Sequence, residues 1–213
     1  MPRWLWILLF VLVAGLVLAG RHGPSAPADA RAGGGIACPM PPGYSDPAQP
    51  LQSDVGRAMA PFRLGQAQVS PLAGFSLQAR VLHREDYVLG TESRYSPTDL
   101  ALGWGPMAAP GMADYFHVSQ GGRWYRYHWN DANPPVAPDQ VAHDSSNMHI
   151  VPADDSVASA LAGLRAGELV RIDGWLIRID RDDGWHWTSS TSRDDTGAGA
   201  CELVLACAIR PLP

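Results

Sequence analysis

The spacing of apolar and polar positions changes character along the chain. Residues 4–19 (WLWILLFVLVAGLVLA) are apolar or small without interruption, between Arg3 and Arg21. At about 1.5 Å per residue, such a run lies at the lower edge of what crosses a bilayer. A period of two begins at residue 67. Ala67, Val69, Phe75, Leu77, Ala79 and Val81 alternate with Gln68, Ser76, Gln78 and Arg80, which predicts a half-buried strand interrupted at residues 71–74. Residues 99–104 (DLALGW), 123–129 (RWYRYHW) and 147–151 add three strand-like runs. Helical spacing is convincing at Val157, Leu161 and Leu164, with Asp154 or Asp155 as the cap and Gly167 as the stop. Residues 169–180 predict a long strand. Val170 and Ile172 share one phase there, and Trp175, Ile177 and Ile179 the other. Gly174 sits at the change, where a bulge would turn both runs toward one core. Asp182, Asp183 and Gly184 supply a turn, and residues 185–190 return as the hairpin partner. The last strand sets Cys201, Leu203, Leu205, Cys207 and Ile209 on one face.

This order predicts a mainly β, α+β fold: a small curved antiparallel barrel with one helix, after an N-terminal apolar helix. The nearest common architecture is the oligonucleotide/oligosaccharide-binding (OB) barrel; a two-layer α+β sandwich is the alternative. The expected divisions are an apolar segment at 1–20, a linker at 21–64 and one globular β-rich domain at 65–213. Residues 21–52 hold seven prolines and five glycines, too little apolar surface to offset their ordering entropy.

Two readings of the amino terminus compete. A signal peptide would be cleaved near Ala19, leaving a secreted or periplasmic protein. An uncleaved anchor, with Trp4 and Trp6 at the interface, would make a single-pass inner-membrane protein with its C-terminal domain in the periplasm. The second leads, and either exports the rest of the chain. Three cysteines leave one over in an oxidising compartment. Cys201 and Cys207 lie roughly 20 Å apart along an extended strand and cannot bridge without a bend. Cys38 can reach either of them, or all three stay as thiols.

Composition narrows the partners. The 16 basic residues are all arginine, and the net charge is -5. A mildly acidic chain without a basic cluster argues against nucleic acid. The 46% hydrophobic content is enough for a core.

Three stretches are denser in polar, aromatic and glycine residues than a core requires. They are residues 96–107 (SPTDLALGWGPM), 143–149 (HDSSNMH) and 185–202 (WHWTSSTSRDDTGAGACE). Together they resemble an uncharacterised family of bacterial membrane-anchored or exported proteins with DLALGWGPM-, SxNMHxxP- and SSxxRxDTGxGxCE-like stretches. The resemblance spans residues 75–209. It implies that the three stretches belong together, and it implies no activity, cofactor or catalytic residue.

His143 and His149 are six apart, and with His186 they form a candidate zinc set, although no HExxH or CxxC spacing occurs. Serines and Cys201 are available as nucleophiles, without a GxSxG elbow or a Cys-His signature. Residues 196–200 with Arg193 offer backbone amides to an anion, but no Walker lysine is present. No cofactor is expected. Six of the eight tryptophans fall in the folded part, and aromatics alternating with Arg126 and His128 suit a ligand-facing sheet surface. The expected function is therefore an envelope-located, membrane-tethered binding or interaction module for an envelope protein or a small ligand. Its face would be built from Asp99, Trp104, His149, Arg193 and Asp195. The rival is a small periplasmic hydrolase, zinc-dependent through His143, His149 and His186.

Overall fold

One strand of 20 residues organises the whole sheet. The computed structural model describes residues 2–19, 23–42, 49–192 and 199–213. In chain order its elements are α1 (Arg3–Ala19), α2 (Ala28–Ala32), β1 (Leu51–Ser53), β2 (Phe62–Leu64), β3 (Ala67–Asp86), β4 (Thr98–Gly103), α3 (Met112–Tyr115), β5 (Ser119–Gly121), β6 (Trp124–Arg126), α4 (Pro138–His143), β7 (Ser145–Pro152), α5 (Asp155–Gly163), β8 (Leu169–Arg181), β9 (His186–Thr188) and β10 (Glu202–Leu212). The fold is mainly β, with a curled sheet. The long strand is β3. Its first part pairs with β8, from Ala67 opposite Arg181 to Arg80 opposite Leu169. Its last part pairs with β4, from Arg80 opposite Gly103 to Asp86 opposite Thr98. From β4 the path runs through β7, β10 and β8. These pairings are antiparallel except that of β7 with β10, which is parallel. The expectation of a wholly antiparallel sheet is corrected there. A parallel pair needs a crossover, and α5 lies within the connection from β7 to β10.

The predicted helix forms for the predicted reasons. Asp154 accepts a hydrogen bond from the Val157 amide at 2.9 Å, and Val157, Leu161 and Leu164 are buried against Phe75, Leu100 and Ile172 in one core. Gly167 is left-handed at φ 91° as a stop glycine would be, but it lies beyond the helix end at Gly163.

β8 corrects a detail of the sequence reading. Val170, Ile172 and Leu176 face the core beneath α5, whereas Trp175, Ile177 and Ile179 face a second core with Leu203 and Leu205. The strand keeps one period and buries apolar residues on both faces. The irregularities lie in the two partner strands, between Pro71 and Ala73 in β3 and between Ala206 and Ala208 in β10. In β10 the residue out of register is Cys207, and past it Ile209 joins the core of Val204 and Ala206. Gly174 serves close approach instead: a Cβ there would stand 2.0 Å from the Leu205 carbonyl oxygen. Gly174→Ala is expected to destabilise the protein by about 1–3 kcal/mol, the usual cost of overpacking. An unchanged midpoint in urea unfolding would contradict that contact.

Parts of the segment expected to be a linker pack on the sheet. Ala26, Ala30, Met59 and Leu64 are buried. The Ile36 amide donates to the Ala153 carbonyl at 2.8 Å, and the Trp175 indole donates to the Pro39 carbonyl at 2.7 Å. A disulfide joins Cys38 to Cys207, with Cα atoms 5.3 Å apart. Small and proline-rich residues here lie flat over a second sheet face that would otherwise be bare.

The membrane anchor is also corrected. The helix α1 has 17 residues, about 25 Å at 1.5 Å per residue, against a hydrocarbon core of about 30 Å. No helix among the described residues is long and apolar enough to cross a membrane. A single-pass inner-membrane location is therefore not supported; a secreted or periplasmic one is compatible with the fold.

Candidate functional site

Residues between β4 and β7 form a cap over the outer face of the sheet. Met107, Phe116, Val136 and Val141 pack on Leu82 and Ala101, with Tyr125, Tyr127 and Trp129 partly buried beside them. The run 123–129 therefore has the alternation expected of a strand but joins no large sheet. Only Trp124–Arg126 pairs, with Ser119–Gly121, in a separate two-stranded hairpin. Its odd-numbered aromatics face the cap core. Trp124 points outward, 43% exposed.

Antiparallel register puts Asp99 opposite His149 and Ala101 opposite Asn147. All three polar residues face the cap and are buried, Asp99 completely. Such a carboxylate needs partners. Arg123 donates to Asp99 Oδ1 at 2.6 Å and to the Ser96 carbonyl at 2.9 Å. Asn147 donates to Asp99 Oδ2 at 3.3 Å and to the Arg123 carbonyl at 3.2 Å. His149 Nδ1 lies 2.9 Å from Asp99 Oδ1, but off the line that a ring N–H bond requires. The ring rests on Trp187, with centroids 4.7 Å apart.

Arg123 is the keystone of this cluster. Its backbone is left-handed at φ 70°, an uncommon state for a residue with a side chain. Its amide donates to the Tyr87 hydroxyl at 3.0 Å, and its guanidinium sits 3.8 Å from the Tyr87 ring centroid. The hairpin is thereby clamped one residue before Trp124. Gln120 extends the network, donating to Asn147 Oδ1 and contacting His83 Nδ1 at 2.9 Å.

Beside Asn147 opens a pocket of about 190 Å³. Trp104 comes from the first polar stretch, Ser145, Ser146 and Asn147 from the second, and Cys201 and Glu202 from the third. The hairpin adds Trp124, Tyr125 and Tyr127 as walls. Glu202 is buried and accepts a hydrogen bond from the Ser146 hydroxyl at 2.5 Å. The Tyr125 hydroxyl meets Ser145 Oγ at 3.0 Å, and burial pushes its pKa up to about 12, so it stays a neutral donor and acceptor at physiological pH. A larger groove of about 670 Å³ runs between residues 23–31 and 86–97. It gathers Asp86, Tyr87 and Pro97 but none of the other stretches.

The expected binding residues thus divide. Trp104 lines the pocket. Asp99 and His149 lie inside, where they hold the cap and expose almost nothing to a partner. Arg193 and Asp195, with most of the glycine-rich loop, lie outside the described residues. The zinc set does not assemble: among the described residues no three His, Cys, Asp or Glu side chains converge. His149 is held against Asp99, while His143 is half-exposed with Nδ1 on Asp144 at 3.0 Å. His186 is exposed on β9. Arg126 and His128, expected on a ligand-facing surface, point to solvent. Arg123, Tyr125 and Gln120 were missed as site builders. The one signal in the sequence was the aromatic alternation around Arg123.

No family model, curated protein or solved structure matches the chain. The geometry alone carries the functional argument.

Proposed function

We propose that this chain is an exported binding module that takes a small ligand in the pocket between the hairpin and the ends of β7 and β10. The observation that carries this reading is convergence. Side chains from three stretches far apart in the sequence meet at one concavity with aromatic walls and a polar floor, as ligand sites do. The Cys38 to Cys207 disulfide supports export, because such bonds persist in oxidising compartments. The strand order β3, β4, β7, β10, β8, with α5 after the third strand and β8 back beside β3, supports an OB-like topology within the curled sheet, which does not form the expected barrel. Function still rests on the site and not on the fold.

The test is a titration of the whole protein, followed by tryptophan fluorescence and calorimetry. The probes are glucose, N-acetylglucosamine, glycine betaine, choline and phosphate. At least one is expected to bind with a Kd below about 1 mM, corresponding to roughly 4 kcal/mol. Trp124→Ala, at an exposed position, is expected to weaken that binding without moving the unfolding midpoint. A silent panel, or binding indifferent to Trp124→Ala, would overturn the proposal.

A further inference from the structure

We infer that the larger groove, between residues 23–31 and 86–97, takes a short extended peptide with free ends. This goes beyond the binding-module reading, which rests on the other pocket. Three observations converge on it. The first is an unused backbone edge. Residues 23–28 line the groove, and Pro27 is extended at φ -49° and ψ 138°. Among the described residues, no backbone–backbone hydrogen bond uses residues 23–26. Pro24 brings a carbonyl only, whereas Gly23, Ser25 and Ala26 bring both a donor and an acceptor. Extended backbone with unpaired groups is a template for one more strand. Residues 23–27 span about 16 Å at about 3.3 Å per residue, enough to lie along about three to five residues of a partner. The groove's volume of about 670 Å³ falls within the roughly 300–1,000 Å³ of ligand sites. Its apolar walls are small, with Pro24, Ala26, Pro27 and Ala28 on one side and Val88 and Pro97 on the other, so they suit small side chains.

The second is charge of both signs at separate points. Among the described lining residues the charged ones are Asp29, Arg31, Asp86, Arg94 and Arg181. Asp86 pairs with Arg84 at 2.9 Å, and Arg181 with Asp183 at 2.6 Å. Asp29, Arg31 and Arg94 make no ion pair among the described residues. Opposite charges that line one groove without meeting each other suit a ligand that carries both. A peptide with free ends does so: its carboxylate goes to the guanidinium groups and its ammonium to Asp29.

The third is Tyr95. Its side chain is 8% exposed and stacks on Trp185, with centroids 5.7 Å apart. It lines the groove, and its hydroxyl makes no hydrogen bond among the described residues. Burial pushes its pKa above the ordinary tyrosine value, so the hydroxyl stays neutral at physiological pH. A polar group this far buried is costly to leave without a partner. A phenol can donate to a peptide carbonyl or accept from a peptide amide, and a strand laid along residues 23–27 offers both.

The experiment titrates the full chain with tetraalanine by calorimetry. Tetraalanine with free ends is expected to bind with a Kd below about 1 mM. The acetylated and amidated form, and the form with N-methylated peptide bonds, are each expected to bind about tenfold weaker. Arg94→Ala, at an exposed position, is expected to weaken tetraalanine at least about threefold without moving the unfolding midpoint. Tyr95→Phe is expected to weaken it as well, and Trp124→Ala to leave it unchanged. Absence of tetraalanine binding would overturn the inference. So would equal binding of the free-ended and capped forms, or binding indifferent to Arg94→Ala. Binding lost in Trp124→Ala and kept in Arg94→Ala would put the peptide in the other pocket, overturning this inference and leaving the binding-module reading standing. If a compound of the earlier panel binds and tetraalanine does not, this inference falls alone.

Discussion

Arg123→Ala is expected to destabilise the protein by about 3–5 kcal/mol. Asp99 is completely buried, and Arg123 supplies its closest cation at 2.6 Å. Removing that cation leaves a carboxylate in low dielectric with Asn147 and an ill-aligned His149 as its remaining neighbours. The same change frees the Tyr87 face and the Ser96 carbonyl. For a domain of this size the loss corresponds to a fall in Tm of roughly 6–20 °C. The damage is expected to reach the pocket, because Trp124 and Tyr125 follow the clamp directly in the chain. Amide exchange in residues 119–126 should accelerate before global unfolding does. A double variant, Arg123→Met with Asp99→Leu, removes both charges and should recover part of the stability, since a buried pair costs desolvation as well as returning attraction. A fall in Tm of less than about 3 °C for Arg123→Ala would mean that the cluster is no clamp.

Loss of the disulfide has the other large effect. It closes a loop spanning 169 positions, for which chain entropy gives about 5 kcal/mol; measured native bridges fall at about 2–5 kcal/mol. Cys207→Ser is therefore expected to lower the midpoint of urea unfolding strongly and to abolish the effect of dithiothreitol on the wild type. The loss has a local face as well. Pro39 accepts from the Trp175 indole, and Ile36 pairs with Ala153. Once untethered, this strap should exchange its amides faster and leave Trp175 more open to quenchers. Equal midpoints with and without reductant would show that the strap is held by its packing alone.

Much of the sheet was legible because burial writes itself into short periods. The Val157, Leu161 and Leu164 stripe, its aspartate cap and the turn at Gly184 follow local rules that tertiary contacts reinforce. The second core was harder to see. A strand covered on both faces loses its alternation, so β8 looked as if it changed phase at Gly174. The strap over that core was hidden for a related reason. Prolines and small residues make a poor case for order until a sheet face and Cys207 are present to receive them.

The site was half legible. The three polar stretches were visible as excess chemistry beyond what a core needs, and they meet at one pocket. Which of their members would be buried was not readable. Asp99 and His149 look like surface ligands in a loop-rich stretch, yet cross-strand register turns them both beneath the cap. Beyond the aromatic alternation that follows it, Arg123 carries no local mark of its role, because its partners lie 24 positions away at Asp99 and 36 at Tyr87.

The most direct measurement is hydrogen–deuterium exchange of the intact protein with and without whichever panel compound binds, at saturation. The convergence of the three stretches predicts protection at Trp104, at residues 142–147 and at residues 200–202 together, with residues 124–127 of the hairpin. Protection confined to residues 23–31 and 86–97, along the larger groove, or an absence of protection in those three stretches, would contradict it.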